Sequence, residues 1–374
     1  MAHGYTYNFP ALRGIQAGRE YFTAICPLGL LTRLFVFDSA SLPAELRAQR
    51  TLNTARVPEI ARYVVENRHS YAFSAITACI DGDAQFAPIE VGAPDIGTLV
   101  VPMTARFVIN DGQHRRAALE AALEEQPDLA DETISVVFFI DAGLKRSQQL
   151  FADLNKHAVK PTKSIGILYD SRDPMARLAR ELTEQCHLFK NLTELEQTSI
   201  SNRSLKLFTL SSIYLATQAL LGKRKGQPIT EEERQTAFEY WTLLMEVIPE
   251  WQLAVKKKVS TWELRRDYVH AHGVVLHALG LAGRQLLHAQ PDTWRESLPK
   301  LREVEWSRSN TAVWEGRAMT GSKMSRSSIH LQKTADYLAR DVWKLNKATK
   351  VTAEKRPRVP PHTPITVQVE GTRS

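Results

Sequence analysis

Five consecutive residues, Asp111-Gly112-Gln113-His114-Arg115, bring together an acid, a glycine, an amide, an imidazole and a guanidinium. They follow the apolar run "RFVIN" and lead directly into "RAALEAALEE", a stretch that can only be helix. A strand handing over to a helix there leaves the first helical amides without acceptors and sets the positive end of the helix dipole at the turn. Phosphate or another anion suits such a junction. Gly112 lets a ligand approach the backbone, Gln113 and His114 can donate or accept, and the planar fork of Arg115 matches phosphate oxygens. A plain helix cap, with Asp111 covering the amides and the basic residues facing water, uses the same five residues, so both readings stay open at this point.

The elements that must hold this turn are legible on either side. In "TARVPEIARYVVEN", residues 54–67, Val57, Ile60, Ala61, Val64 and Val65 share one helical face, with Thr54 placed to cap and Pro58 tolerable in the first turn. The preceding "REYFTAICPLGLLTRLFVF" reads as two strands, or as a strand and a short helix, because Pro27 and Gly29 interrupt its β-formers. "SAITACID", "IGTLVVPMTARFVIND" and the continuous apolar "ISVVFFI" predict further strands, the last buried on both faces. Residues 145–158, "KRSQQLFADLNKHA", return to helical period through Leu150, Phe151 and Leu154. The chain is therefore expected to be α+β over residues 1–165. Residues 166–348 carry successive helical patterns such as "LKLFTLSSIYLATQALL" and "EEERQTAFEYWTLLMEVI", which predict an all-helical second domain. The proline-rich residues 349–374 predict a disordered tail.

Length and composition fit this division. At 374 residues, 43% hydrophobic and 24% charged, the chain has room for two ordinary globular domains. No apolar run nears the roughly 18 residues of a membrane span, and the N-terminus lacks a signal-peptide layout, so a cytoplasmic protein without a membrane partner is expected. Cys26, Cys79 and Cys186 are too few and too scattered for a disulfide framework or a zinc site and are expected to be buried. His270, His272 and His277 lack the i, i+3 or i+4 spacing of helical metal ligands and are expected to be core or surface residues. No metal site is predicted. The net charge of +7 favours an anionic partner, of which nucleic acid is the commonest.

Asp111 to Arg115 resembles the hallmark of the DGQHR-domain family, whose fold is similar to the ParB partition proteins and sulfiredoxin. Downstream, "LFADLNKHAVKPTKSIGILYDSRD", with Asn155 and Lys156 and then Lys160 to Ser164, resembles the Asn/Lys-rich element that faces this turn in the family. "VWEGRAMTGSKMSRSSIHLQKTADYL", taken with "RTLNTARVPEIARYV", is similar to the DndB family of DNA sulfur modification proteins, encoded with the phosphorothioation genes. The likeness runs from about residue 10 to 345. It implies a ParB/sulfiredoxin-like N-terminal domain and a nucleotide or anion held by Asp111, Gly112, Gln113, His114, Arg115, Asn155 and Lys156. It also implies a cytoplasmic DNA-binding repressor of its own modification gene cluster, one not needed for the sulfur chemistry itself.

For double-stranded promoter DNA, the basic segments suggest where contact would fall. Residues 306–350 hold nine cations against three acids, and Arg317, Lys323 and Arg326 stand among the hydroxyls of "GSKMSRSS" just before an amphipathic stretch. Cations, hydroxyls and helix-start amides are the usual phosphate-contacting groups. Lys256, Lys257 and Arg265 form a second cluster beside Trp251, Trp262 and Tyr268, aromatics expected to anchor the core. A nucleotide-hydrolysing enzyme is the alternative: Arg115, Lys156 and the Gly112 backbone would hold a nucleoside triphosphate, with His114 or Asp111 assisting hydrolysis. The chain has no Walker loop, and no evident carboxylate pair for magnesium beyond Asp111 and Asp153. A basic surface for other modification subunits is a third reading. Beyond a nucleotide no cofactor is assigned, and further copies of the chain are candidate partners.

Overall fold

The computed structural model describes residues 5–35, 56–89, 92–141, 146–156, 161–201 and 203–345, with backbone only at residues 148, 151, 155 and 156. Thr54, Lys160 and the predicted tail lie outside the described residues. The chain divides into two compact units, residues 1–159 and 160–374. It is a mixed α+β protein with a seven-stranded mixed sheet.

In the first unit β1 (Thr6–Gln16) and β2 (Arg19–Pro27) form a hairpin. Its two-residue turn places both Ala17 (φ 51°) and Gly18 (φ 72°) in the left-handed region, as the twist of paired strands prefers. Pro27 then closes β2 and opens α1 (Leu28–Leu34), so the strand-and-helix alternative is the one adopted. There follow α2 (Val57–Glu66), β3 (Ile76–Asp81), β4 (Gln85–Pro88), β5 (Ile96–Pro102), β6 (Arg106–Asp111), α3 (Gln113–Glu125), β7 (Thr133–Ile140) and α4 (Ser147–Lys156). The sheet order is β4-β5-β1-β2-β7-β3-β6, antiparallel except where β3 runs parallel to β7. Leu28, Leu31, Val64, Leu119 and Ala122 of the helices pack on Phe9, Phe22, Val136 and Phe138 of one sheet face. On the opposite face Leu150 of α4 joins a small cluster with Cys79, Val108 and Phe139, while Leu12 and Ile25 stay exposed. Burial of β7 on both faces is thus corrected: Val136 and Phe138 are buried, but Ser135, Val137 and Phe139 are only partly covered.

The second unit contains α5 (Lys163–Tyr169), α6 (Pro174–Gln185), α7 (Leu210–Leu221), α8 (Glu231–Val247), α9 (Pro249–Val255), α10 (Thr261–Asp267), α11 (Gly273–Ala289), α12 (Trp294–Ser297), α13 (Thr311–Trp314) and α14 (Ser328–Asp336). It is not purely helical. β8 (Thr193–Glu194) pairs with β9 (Phe208–Thr209), and β10 (Met319–Thr320) with β11 (Lys323–Met324). Two-residue ladders are too short to leave a period in sequence. Capping boxes at Thr209, Thr230 and Ser260 fix where α7, α8 and α10 begin. α7 and α11 pack backbone to backbone, since a Cβ at Gly280 would lie 2.1 Å from the Ala216 carbonyl oxygen. Six tryptophans, 241, 251, 294, 306, 314 and 343, are buried in the core of this unit; Trp262 is the exception, 42% exposed. All three cysteines are buried thiols. Among the described residues no helix is long and apolar enough to cross a membrane.

Candidate functional site

The strand-to-helix junction forms as expected, with β6 ending at Asp111 and α3 beginning at Gln113. Gly112 is the cap residue, at φ 106°, in a backbone region that L side chains rarely enter. The side chains, however, turn inward on the unit. Arg115 Nη2 donates to Asp111 Oδ2 at 2.6 Å, and Nη1 donates to the carbonyl oxygen of Ser74 at 3.0 Å and to its hydroxyl. The Arg115 side chain is only 15% exposed. Gln113 Nε2 reaches back to the carbonyls of Ile109 (3.3 Å) and Asn110 (3.4 Å). Burial, and then the charge of Arg56, lower the His114 pKa below its ordinary value, against a smaller opposite pull from Asp111. α4, whose last residues are Asn155 and Lys156, packs against β6. Buried Asn110 ties the two by donating to the Ser147 carbonyl and hydroxyl, each at 2.8 Å. Thr162 and Lys163 of the downstream segment belong to the second unit.

A different concentration of charge lies within that second unit. A cavity of about 950 Å³ is lined by Lys163, Arg265, Arg266, Arg308 and Arg326, with His272 and His277, and among the described residues by no acidic one. Hydroxyls of Thr162, Thr198, Ser199, Thr209, Ser211 and Ser212 line it too. Two helices start at its wall: α7, capped by Thr209, and α11, whose cap residue His272 makes no side-chain capping bond. The Gly273 and Val274 amides opening α11 have no hydrogen-bond acceptor among the described residues, nor has the ring of His277 a partner there. His272 Nε2 lies 2.8 Å from the Arg265 carbonyl oxygen. Burial, with Arg308 and Arg265 nearby, pushes its pKa down to about 4. Lys163 and Arg326 form no ion pair among the described residues. Cations, hydroxyls, open amides and two helix N-termini around one acid-free hollow make a positive, hydrogen-bond-donating environment for phosphate oxygen.

Most of the chain, residues 9–344, matches the family model DndB, described as DNA-sulfur modification-associated. The chain belongs to the DndB family. That membership ties it to DNA sulfur modification. No curated protein and no solved structure matches the chain.

In this DndB-family chain the predicted DNA contacts fall in four settings. Arg265 and Arg326 line the cavity, and Lys323 sits exposed on the β10–β11 hairpin. Arg308 joins these places: Nη1 donates to the carbonyls of Arg265 and Arg266, both at 3.2 Å, and Nη2 donates to that of Ser322 in the hairpin turn at 2.8 Å. Arg265 is buried and gives its guanidinium to the carbonyls of Ser201, Ser204 and Lys206, and burial lowers its pKa. Its charge reaches the cavity as a field, while its donors hold the backbone at Ser201, Ser204 and Lys206. Arg317 lies over the Tyr337 ring, 5.0 Å from its centroid, in a depression shared with Glu315, Asp336 and Asp341. Lys256 and Lys257 are exposed where α9 ends.

Sequence reasoning missed Trp262 as a site residue. It is not a core anchor but lines the cavity with Arg266 stacked 4.6 Å from its ring centroid, while Arg266 also forks onto Asp267 at 2.7 Å. His272 and His277 were likewise passed over. The helix begins only at Gly273, after a 3-10 turn over Val269–Ala271, so positions counted along one continuous helix misplace both rings.

Proposed function

We propose that this chain is a DNA-binding transcriptional repressor of a DNA phosphorothioation gene cluster, acting in the cytoplasm. The observation that carries the reading is the acid-free cationic cavity, to which Arg308 pins the exposed β10–β11 hairpin. In this reading Lys323 and Arg326 contact the duplex phosphates, the field of Arg265 and Arg308 adds long-range attraction, and Arg317, Lys256 and Lys257 stand farther out along the path. Phosphate contacts position a protein on DNA without reading its sequence, so the base-reading groups are separate from these cations. The DGQHR turn acts as a scaffold, since its Arg115 fork is filled by Asp111 and Ser74.

Gel-shift retention of the cluster's own promoter fragment tests this. Native protein is expected to retain that fragment at physiological salt and to release an unrelated duplex. The slope of log affinity against log salt should fall in magnitude by about 0.9 for each phosphate contact removed, in Lys323→Ala and in Arg326→Ala. Equal retention of both duplexes, or an unchanged slope in both variants, would contradict the reading.

A further inference from the structure

We infer that the interior of this cavity binds a small nucleoside phosphate, as a site separate from the duplex contacts proposed above. About 950 Å³ lies within the range of small-molecule sites, roughly 300–1,000 Å³. A double helix presents its phosphates on a convex surface, so a hollow of this size admits one nucleotide more readily than a duplex. The two halves of such a ligand find matching walls. For the phosphate there are the unpaired Gly273 and Val274 amides at the start of a 17-residue helix, the ring of His277 one turn further along that helix, and the ammonium of Lys163, which forms no ion pair among the described residues. The guanidinium of Arg308 adds charge that no carboxylate in the lining cancels. For the base there is Trp262, the one tryptophan left exposed, with a guanidinium already stacked on its ring, and the apolar side chains of Leu207, Leu215 and Leu331. Exposing one indole costs hydrophobic burial that the other six retain, and a flat π face beside a cation is a stacking platform for any base.

Titration calorimetry on the full chain tests this with ADP, GDP, CDP and UDP, with inorganic pyrophosphate and with adenosine. At least one nucleoside diphosphate is expected to bind with 1:1 stoichiometry, at least tenfold tighter than pyrophosphate, with adenosine binding undetected. Lys163→Ala should weaken nucleotide and pyrophosphate together by about tenfold. Trp262→Ala should weaken the nucleotide alone, by about tenfold. Both side chains are exposed, and a circular dichroism melt checks that each variant folds. No binding of any diphosphate at millimolar concentration overturns the inference. So does pyrophosphate binding as tightly as the nucleotide, or affinity unchanged in Lys163→Ala and Trp262→Ala. A salt slope of promoter binding reduced by about 0.9 in Lys323→Ala with nucleotide affinity intact supports two separate sites; nucleotide displaced stoichiometrically by duplex overturns them.

Discussion

The DGQHR turn and the cavity of the second unit both set arginine, histidine and glycine at the start of a helix, yet they end in opposite electrostatic states. In the turn, Asp111 lies one helical turn from Arg115, and residues at i and i+4 reach one another. The acid and the guanidinium therefore meet at 2.6 Å, and the amide of Gln113 falls back on strand carbonyls. In the cavity the cations come from residues 163, 265, 266, 308 and 326, and the acids nearest to them in sequence, Glu263, Asp267 and Glu305, are not among the described lining residues. Of these five cations, Arg266 forms an ion pair, with Asp267 beside it. A compact motif tends to satisfy itself, whereas a site assembled from distant positions can keep its charge and its donors for a ligand.

The largest separation of the two regions is expected from Gly280→Val. The α7–α11 contact leaves no room for a side chain, and overpacking against backbone costs about 3 kcal/mol. Because α11 opens at the cavity, segment-resolved hydrogen exchange should show lost protection across residues 210–289 and none across 106–125. Equal loss in both would mean that the turn depends on the helical unit.

Acid should act next most strongly, and more on the second unit, which has three lowered histidines where the turn has one, His114. His272 is pushed down to about 4, and burial also lowers His277 and, beside Glu250, His270. The unfolded chain binds these protons near pH 6.5 and the folded chain does not. Stability is thus full above pH 6.5 and falls as pH drops toward 4. The lowered carboxylates Glu233 and Glu250 act below about 4.5, so the window from 6.5 to 5 isolates the histidines. Melting temperatures across that window should fall by several degrees in native protein and by less in His272→Asn.

Arg115→Ala ranks third and addresses the turn directly. It removes an ion pair whose acid is 48% exposed, together with the bonds to Ser74, and should cost about 1 kcal/mol in urea unfolding. Promoter affinity and nucleotide affinity are expected to stay within twofold of native. A loss of either beyond tenfold would restore the turn as an anion site.

How much of this was legible beforehand follows the same division. Local patterns carried the strands β3, β5, β6 and β7 and the helices α2, α3, α7 and α8, because hydrophobic period and turn residues are local signals. The two-residue ladders carried no such signal. Of the cavity, Arg265 and Arg326 stand out in sequence as members of basic clusters, but Lys163 groups with the turn through resemblance, and Trp262 reads as a core anchor like Trp251. Arg308 contributed to a charge excess without standing out. What failed to appear in sequence is the convergence of α5, α7, α10 and α11 on one hollow, since only the packing around Gly280 and the tryptophan core brings those helix ends together.

The smallest effect sharpens the contrast from the other side. Lys257 holds a left-handed backbone conformation, φ 56°, as the chain leaves α9, a position where glycine avoids a Cβ penalty of about 1 kcal/mol. Lys257→Gly should therefore raise stability by roughly 0.5–1 kcal/mol while deleting one exposed cation. If the triplet Lys256–Lys258 is only a solvated helix end, the salt slope of promoter binding stays at its native value in this variant. A slope reduced by about 0.9 makes Lys257 a phosphate contact, as its proposed place on the outer part of the duplex path requires.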